Sequence, residues 1–244
     1  HKYRHAPVKG LDVTNLRTTK DGYAIRLDNW VARVDGLHVR DGWTVFRSGL
    51  PAPITALIPH RSKLFAATAT AIYDGWQPVL TGLGGGAWQS VEMVNGGGTW
   101  TAACNGVDGL AVTDGQIWQL NPVEGVAGFD RIHCHHNRLF LATADSLDIW
   151  YLDIDAVSGP ALPIPMTQLL RRGGRIEAMA SISGDGGRGP DDQLAVLTSE
   201  GELVVWSGND PDNATSWSLV GVYQIGKPLG PKCFAAYGGQ VVVL

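Results

Sequence analysis

Four consecutive residues, His133-Cys134-His135-His136, form the densest run of metal-ligating side chains in the sequence. On a strand, alternation puts His133 and His135 on one face and Cys134 with His136 on the other. Two imidazoles on one face can hold zinc, but a site needs a third or fourth ligand, and no spacing identifies it. The simpler reading is a hairpin strand that leads into Asn137-Arg138 and carries its histidines as partly exposed polar residues. The stretch Gly184-Asp185-Gly186-Gly187-Arg188-Gly189-Pro190-Asp191-Asp192 sets three carboxylates in a glycine-rich loop, a composition suited to Ca²⁺. It lacks the EF-hand ligand order and its closing Glu, so a solvated inter-strand loop is expected. A metal-assisted hydrolase or lyase would have to draw on His133, His135 and Asp185 or Asp191. Gly84-Gly85-Gly86 and Gly96-Gly97-Gly98 are not followed by Gly-Lys-Ser/Thr, as a phosphate loop requires. No G-x-S-x-G elbow and no legible Ser/His/Asp or Cys/His arrangement is present. The expectation is a protein without catalytic residues, metal or cofactor. One basic knot, Arg171-Arg172-Gly173-Gly174-Arg175, can meet a phosphate backbone or an acidic neighbour, or stay in water.

The elements that would position these residues are legible from composition and periodicity. The chain has 244 residues, 44% hydrophobic and only 17% charged, with a net charge of -4. That is apolar enough to build a core, which excludes disorder. The acidic balance argues against a dedicated nucleic-acid binder, which needs many Lys and Arg contacts to phosphate. No stretch qualifies as a membrane span, because the least charged segments, Trp76–Val91 and Ala156–Leu170, are broken by Gly or Pro. Three widely spaced cysteines, Cys104, Cys134 and Cys233, fit reduced intracellular thiols better than a disulfide framework. The chain opens on His1 and stops inside an apolar run, so both ends read as cut from a longer protein.

Helix periodicity is nearly absent; apolar residues alternate or come in short runs bounded by Gly, Asn or Asp. The 32 glycines fit tight hairpins, where a positive φ is needed. A hairpin-like unit recurs from Leu64, Trp100, Leu139, Leu194 and Val241, at intervals of 36, 39, 55 and 47 residues. Repeats of about 40–50 residues built of short antiparallel strands are the signature of propeller blades. The expected fold is therefore all-β: a β-propeller of four-stranded antiparallel blades over 51–244, truncated at its C-terminus. A β-sandwich is the structural rival, but its strands would share fewer internal similarities. The longest interval holds the proline-rich stretch Asp153–Arg172, read as a long inter-blade loop. Residues 1–50 form an extended N-terminal segment with strand-like pieces Ala24–Leu27 and Leu37–Arg40 and the pair Trp30 and Trp43. This segment is expected to cover the propeller edge or reach a neighbouring subunit.

Several segments carry a resemblance: Ile25-Arg26-Leu27-Asp28-Asn29-Trp30 with Arg40–Trp43, Phe129–His133, Asn137–Phe140, Asp145–Leu152, Arg171–Gly174, Ser199–Glu202 and Gly221–Gly230. On these the chain resembles the β-propeller tail nozzle (tail tubular) and head-to-tail adaptor proteins of short-tailed bacteriophages. The resemblance implies a virion structural protein of the tail or neck, assembled in the host cytoplasm. It further implies a homo-oligomeric ring, a hexamer, forming part of the DNA ejection channel. Neighbours would be adaptor, portal or tail fibre proteins, and DNA would pass without specific binding. The interface would draw on Arg26, Asp28, Trp30, Arg171, Arg172 and Arg175. Two other classes compete. One is a carbohydrate- or protein-binding propeller of non-viral role, with Trp88, Trp100 and Trp118 as stacking platforms; the other is the metal-assisted enzyme above.

Overall fold

The structure is a computed structural model that describes residues 9–12, 20–121, 123–124, 126–185, 190–237 and 240–244. Among these residues there are strands and turns but no helix. Contacts divide the chain into two units, His1–Ser48 and Gly49–Leu244. In the first, β1 (Trp30–Arg33) and β2 (Gly36–Val39) form a hairpin in which Arg33 faces Gly36 across the turn residues Val34 and Asp35.

The second unit repeats one motif. Strands β3 (Ala56–His60), β4 (Lys63–Ala67), β5 (Ala71–Asp74) and β6 (Gln77–Thr81) form an antiparallel sheet in chain order. The next sheet is β7 (Gln89–Asn95), β8 (Gly98–Cys104), β9 (Leu110–Thr113) and β10 (Trp118–Asn121). After a short β11 (Val123–Glu124) comes the third: β12 (Phe129–His135), β13 (Arg138–Thr143) and β14 (Ile149–Tyr151). Its chain then passes through β15 (Gly159–Pro160), paired parallel with β11, and returns as β16 (Leu162–Ile164), the third sheet's fourth strand. Strands β17 (Ile176–Asp185), β18 (Pro190–Thr198), β19 (Glu202–Gly208) and β20 (Trp217–Gln224) make the fourth, and the hairpin β21 (Phe234–Tyr237) and β22 (Gln240–Val243) begins a fifth.

Alternation along each strand explains how the sheets stack. On the second sheet Ala103 and Ala111 pack toward the first sheet with Phe65, Ile72 and Trp118, whereas Ala102 and Val112 pack toward the third. On β13, Leu139 and Leu141 face the second sheet, while Phe140 and Ala142 face the fourth, against Ile176, Val196 and Trp217. A smaller cluster of Ala178, Leu197 and Cys233 joins the fourth sheet to β21. Each core thus lies between two successive sheets; the middle strands of the second and third sheets are buried on both faces, whereas on β4 only the Phe65 and Ala67 face is covered and Leu64 is exposed.

The first strands β3, β7, β12 and β17 touch one another in order. Residues from all four, together with Phe234 of β21, line one axial cavity of about 410 Å³. Successive four-stranded meanders, stacked face to face with their first strands around a common cavity, constitute a β-propeller. No sheet among the described residues closes on itself.

The five repeat starts at Leu64, Trp100, Leu139, Leu194 and Val241 all fall on the second strand of their sheets, β4, β8, β13, β18 and β22. The reading of Asp153–Arg172 as a bare inter-blade loop is corrected: its proline-rich middle supplies β15 and β16. Proline has no N–H to donate to a ladder, but on an outermost strand the position of the missing donor can face solvent.

Candidate functional site

The inner strands carry the densest polar chemistry. His133 and His135 share a face of β12, and both reach across to β17. His133 Nε2 lies 2.9 Å and His135 Nδ1 2.8 Å from the same Ser181 hydroxyl. Burial pushes both imidazoles down to about 4, His135 and His136 adding charge repulsion in turn. Both rings are therefore neutral at pH 7, and Ser181 donates to one nitrogen while accepting from the other. His135 is 2% exposed, and the Gly208 backbone beside its ring offsets part of the burial effect. His136 leaves the strand at φ 47°, its ring 4.3 Å from that of His135. Among the described residues no three His, Cys, Asp or Glu side chains are placed to hold a metal. The trio joins blades three and four.

A second interblade set lies further along the same two strands. Both strands carry a bulge, at Asp130 in β12 and at Glu177 in β17. Arg131 bonds the Asp130 carboxylate at 2.7 Å and the Glu177 carbonyl at 2.8 Å, and its guanidinium sits 3.6 Å from the Glu177 carboxylate. Glu177 is 1% exposed, and Arg175 reaches it from the surface at 3.1 Å. Burial raises the Asp130 carboxyl above its usual range against the pull of Arg131. Further out, Arg138 of β13 bonds the Leu152 carbonyl at 2.9 Å and Asp210 at 3.3 Å. The Tyr151 hydroxyl donates to Asp212 at 2.5 Å. The turn between β19 and β20 is thereby latched onto blade three.

Arg171 and Arg172 sit outside these networks. Their backbone N–H groups donate to the buried Glu202 carboxylate at 2.9–3.2 Å, while their side chains point into solvent. Both line a cavity of about 430 Å³ with Leu169, Glu202, Val222, Tyr223 and Gln224. The remaining interface candidates belong to the N-terminal unit: Arg26 pairs with Asp28 at 2.6 Å in the open, and Trp30 opens β1 half exposed. Of the candidate stacking platforms, Trp88 and Trp118 lie in the core between the first two sheets, and half-buried Trp100 donates to Asn95 at 3.0 Å. Of the glycine-rich loop, residues 186–189 lie outside the described residues, as do the side chains of Asp185 and Asp191.

Gly84-Gly85-Gly86 is a docking strap. The Gly84 N–H donates to both Asp108 oxygens at 3.0 Å, and Asn105 donates to the Gly85 carbonyl. Sequence reasoning did not find Ser181, Asp210 or Asp212. The one local signal near them is the turn-forming composition Asp-Pro-Asp-Asn at 210–213.

No protein-family model matches the chain, and no curated protein matches it. Several solved structures show a weak similarity to the chain. BBS1N in complex with ARL6DN is similar over 78% of this chain and 72% of its own, at 12% identity and a TM-score of 0.43. A second BBS1N–ARL6DN structure covers 84% and 62%, at 15% identity and 0.46. Hsv2 of Kluyvelomyces marxianus covers 76% and 62%, at 17% identity and 0.43.

Proposed function

We propose that this chain is a β-propeller assembly module, a protein that works by binding other protein chains, copies of itself first among them. The observation that supports this reading most is the apolar surface of the N-terminal unit. Within seventeen residues Trp30, Val31, Val34, Val39, Trp43, Val45 and Phe46 are exposed, Trp43 at 83% and Phe46 at 84%. Single exposed apolar residues are ordinary, but a gathering of large ones marks an interaction surface. The low charge of the chain suits burial against neighbouring proteins, whose contact cores are depleted of charge. A sugar-binding form has less support, since Trp88 and Trp118 fill the core.

The narrower form of this reading is a ring component of the tail nozzle or head-to-tail adaptor of a short-tailed phage. Its support is the set of sequence segments from Ile25 to Gly230, together with a net charge of -4, which would let DNA pass without being held. Sedimentation velocity of the chain against a Trp43→Glu/Phe46→Glu variant tests the assembly reading. Concentration-dependent association in the parent and its loss in the variant are expected. Identical monomeric sedimentation of both up to high micromolar concentration would overturn it.

A further inference from the structure

The outer strands of the four blades are guarded unequally, and the difference points to a partner. A free strand edge invites pairing, and proteins suppress it with proline, charge or shortness. Strand β6 contains Pro78; β10 has four residues, and the sequence follows it with Pro122; β16 contains Pro163 and is flanked by Pro160 and Pro165. Strand β20, Trp-Ser-Leu-Val-Gly-Val-Tyr-Gln, runs eight residues with no proline and no charge. Leu219, Val220, Val222 and Tyr223 are exposed along it, and no described strand pairs with its outer side. At its C-terminal end it borders the cavity of about 430 Å³ that also holds Arg171 and Arg172. Among the described residues neither guanidinium meets a hydrogen-bond or ion-pair partner, although the backbone beneath both is fixed by Glu202.

Building on the assembly reading, we infer that β20 is a β-augmentation edge for an extended acidic segment of a partner protein. The segment's backbone adds a strand beside β20, and a carboxylate side chain enters the cavity to meet Arg171 and Arg172. Main-chain hydrogen bonds supply affinity in such docking, and side-chain pockets supply specificity. An Arg pair with free forks is suited to a carboxylate, which it can grip with two parallel bonds. The charge complement selects an acidic segment over a basic one, and the unguarded length selects an extended one over a helix.

Selection of random twelve-residue peptides displayed against the full chain tests this. The expected winners are proline-free, apolar and acidic. A chosen winner, made as a synthetic peptide, should slow amide exchange over 217–224. Its binding should weaken at least tenfold on Arg171→Glu/Arg172→Glu and on Val222→Lys, with melting temperatures confirming that both variants fold. Winners that are basic, or that bind both variants as well as the parent, would overturn the docking edge while leaving the assembly reading standing. If Val222→Lys instead abolishes self-association of the chain, the occupant is a second copy and the partner-segment assignment falls. No enrichment, with self-association intact, removes the edge alone; no enrichment and no self-association remove both.

Discussion

His133, Ser181 and His135 hold two neutral imidazoles on one hydroxyl between two blades, and this has a measurable pH signature. Both rings titrate at about 4 when folded, against an ordinary value of 6.5. Between those values the unfolded chain takes up protons that the folded chain refuses, so stability rises with pH across that window. The contribution is complete above the unfolded value and is lost as pH falls toward the folded one. At 1.36 kcal/mol per pH unit, buried His135 alone accounts for about 3 kcal/mol. Urea unfolding of the parent should therefore show a steep loss of stability from pH 7 to pH 5, and His135→Gln should flatten it. Equal slopes would place the acid sensitivity elsewhere. Gly86 supplies a second residue-scale prediction. Its φ is +105°, and an added Cβ would run into the Asn105 carbonyl, which is backbone and cannot yield. Gly86→Ala should cost about 2–3 kcal/mol, read as a lowered melting temperature.

At the scale of elements, the bulges at Asp130 and Glu177 turn charged groups into the joint between blades three and four. Arg131 is the shared counter-ion of both carboxylates. Arg131→Met should destabilise the chain by about 3–5 kcal/mol, because it leaves buried carboxylates short of a partner. Arg175→Ala, on the exposed side of the same set, should cost about 1 kcal/mol or less. Chemical denaturation of the two variants separates these outcomes. The strands of these blades were legible in the sequence because period-two alternation and turn residues are local signals. Leu64, Trp100, Leu139, Leu194 and Val241 mark equivalent strands for that reason. The interblade contacts were not legible: Ser181 lies 48 residues from His133 and Asp210 72 from Arg138, and no local pattern records such a meeting. Strand β16 was hidden by its prolines, which oppose strand formation everywhere except at an edge. The bulges left no mark in composition either, although they decide where Arg131 points.

For the whole molecule, the propeller is a frame whose cores lie between successive sheets, and the proposed docking function rests on the surfaces left outside them. Three outer strands are shielded by proline or shortness, the fourth is open, and the N-terminal unit presents aromatic side chains to water. A chain with 17% charged residues that exposes such surfaces has a strong drive to bury them. The exposed residues were readable as unusual in the sequence only for Trp30 and Trp43. The β20 edge stands out only beside its three equivalent strands, and their equivalence is a property of the fold that no single strand sequence records. Native mass spectrometry of the chain at micromolar concentration is the most direct test of the central claim. One closed oligomer of fixed copy number is expected, six in the tail-ring form, and it should fall apart when Trp43 and Phe46 are replaced by Glu. A clean monomer, unchanged by those substitutions, would contradict it.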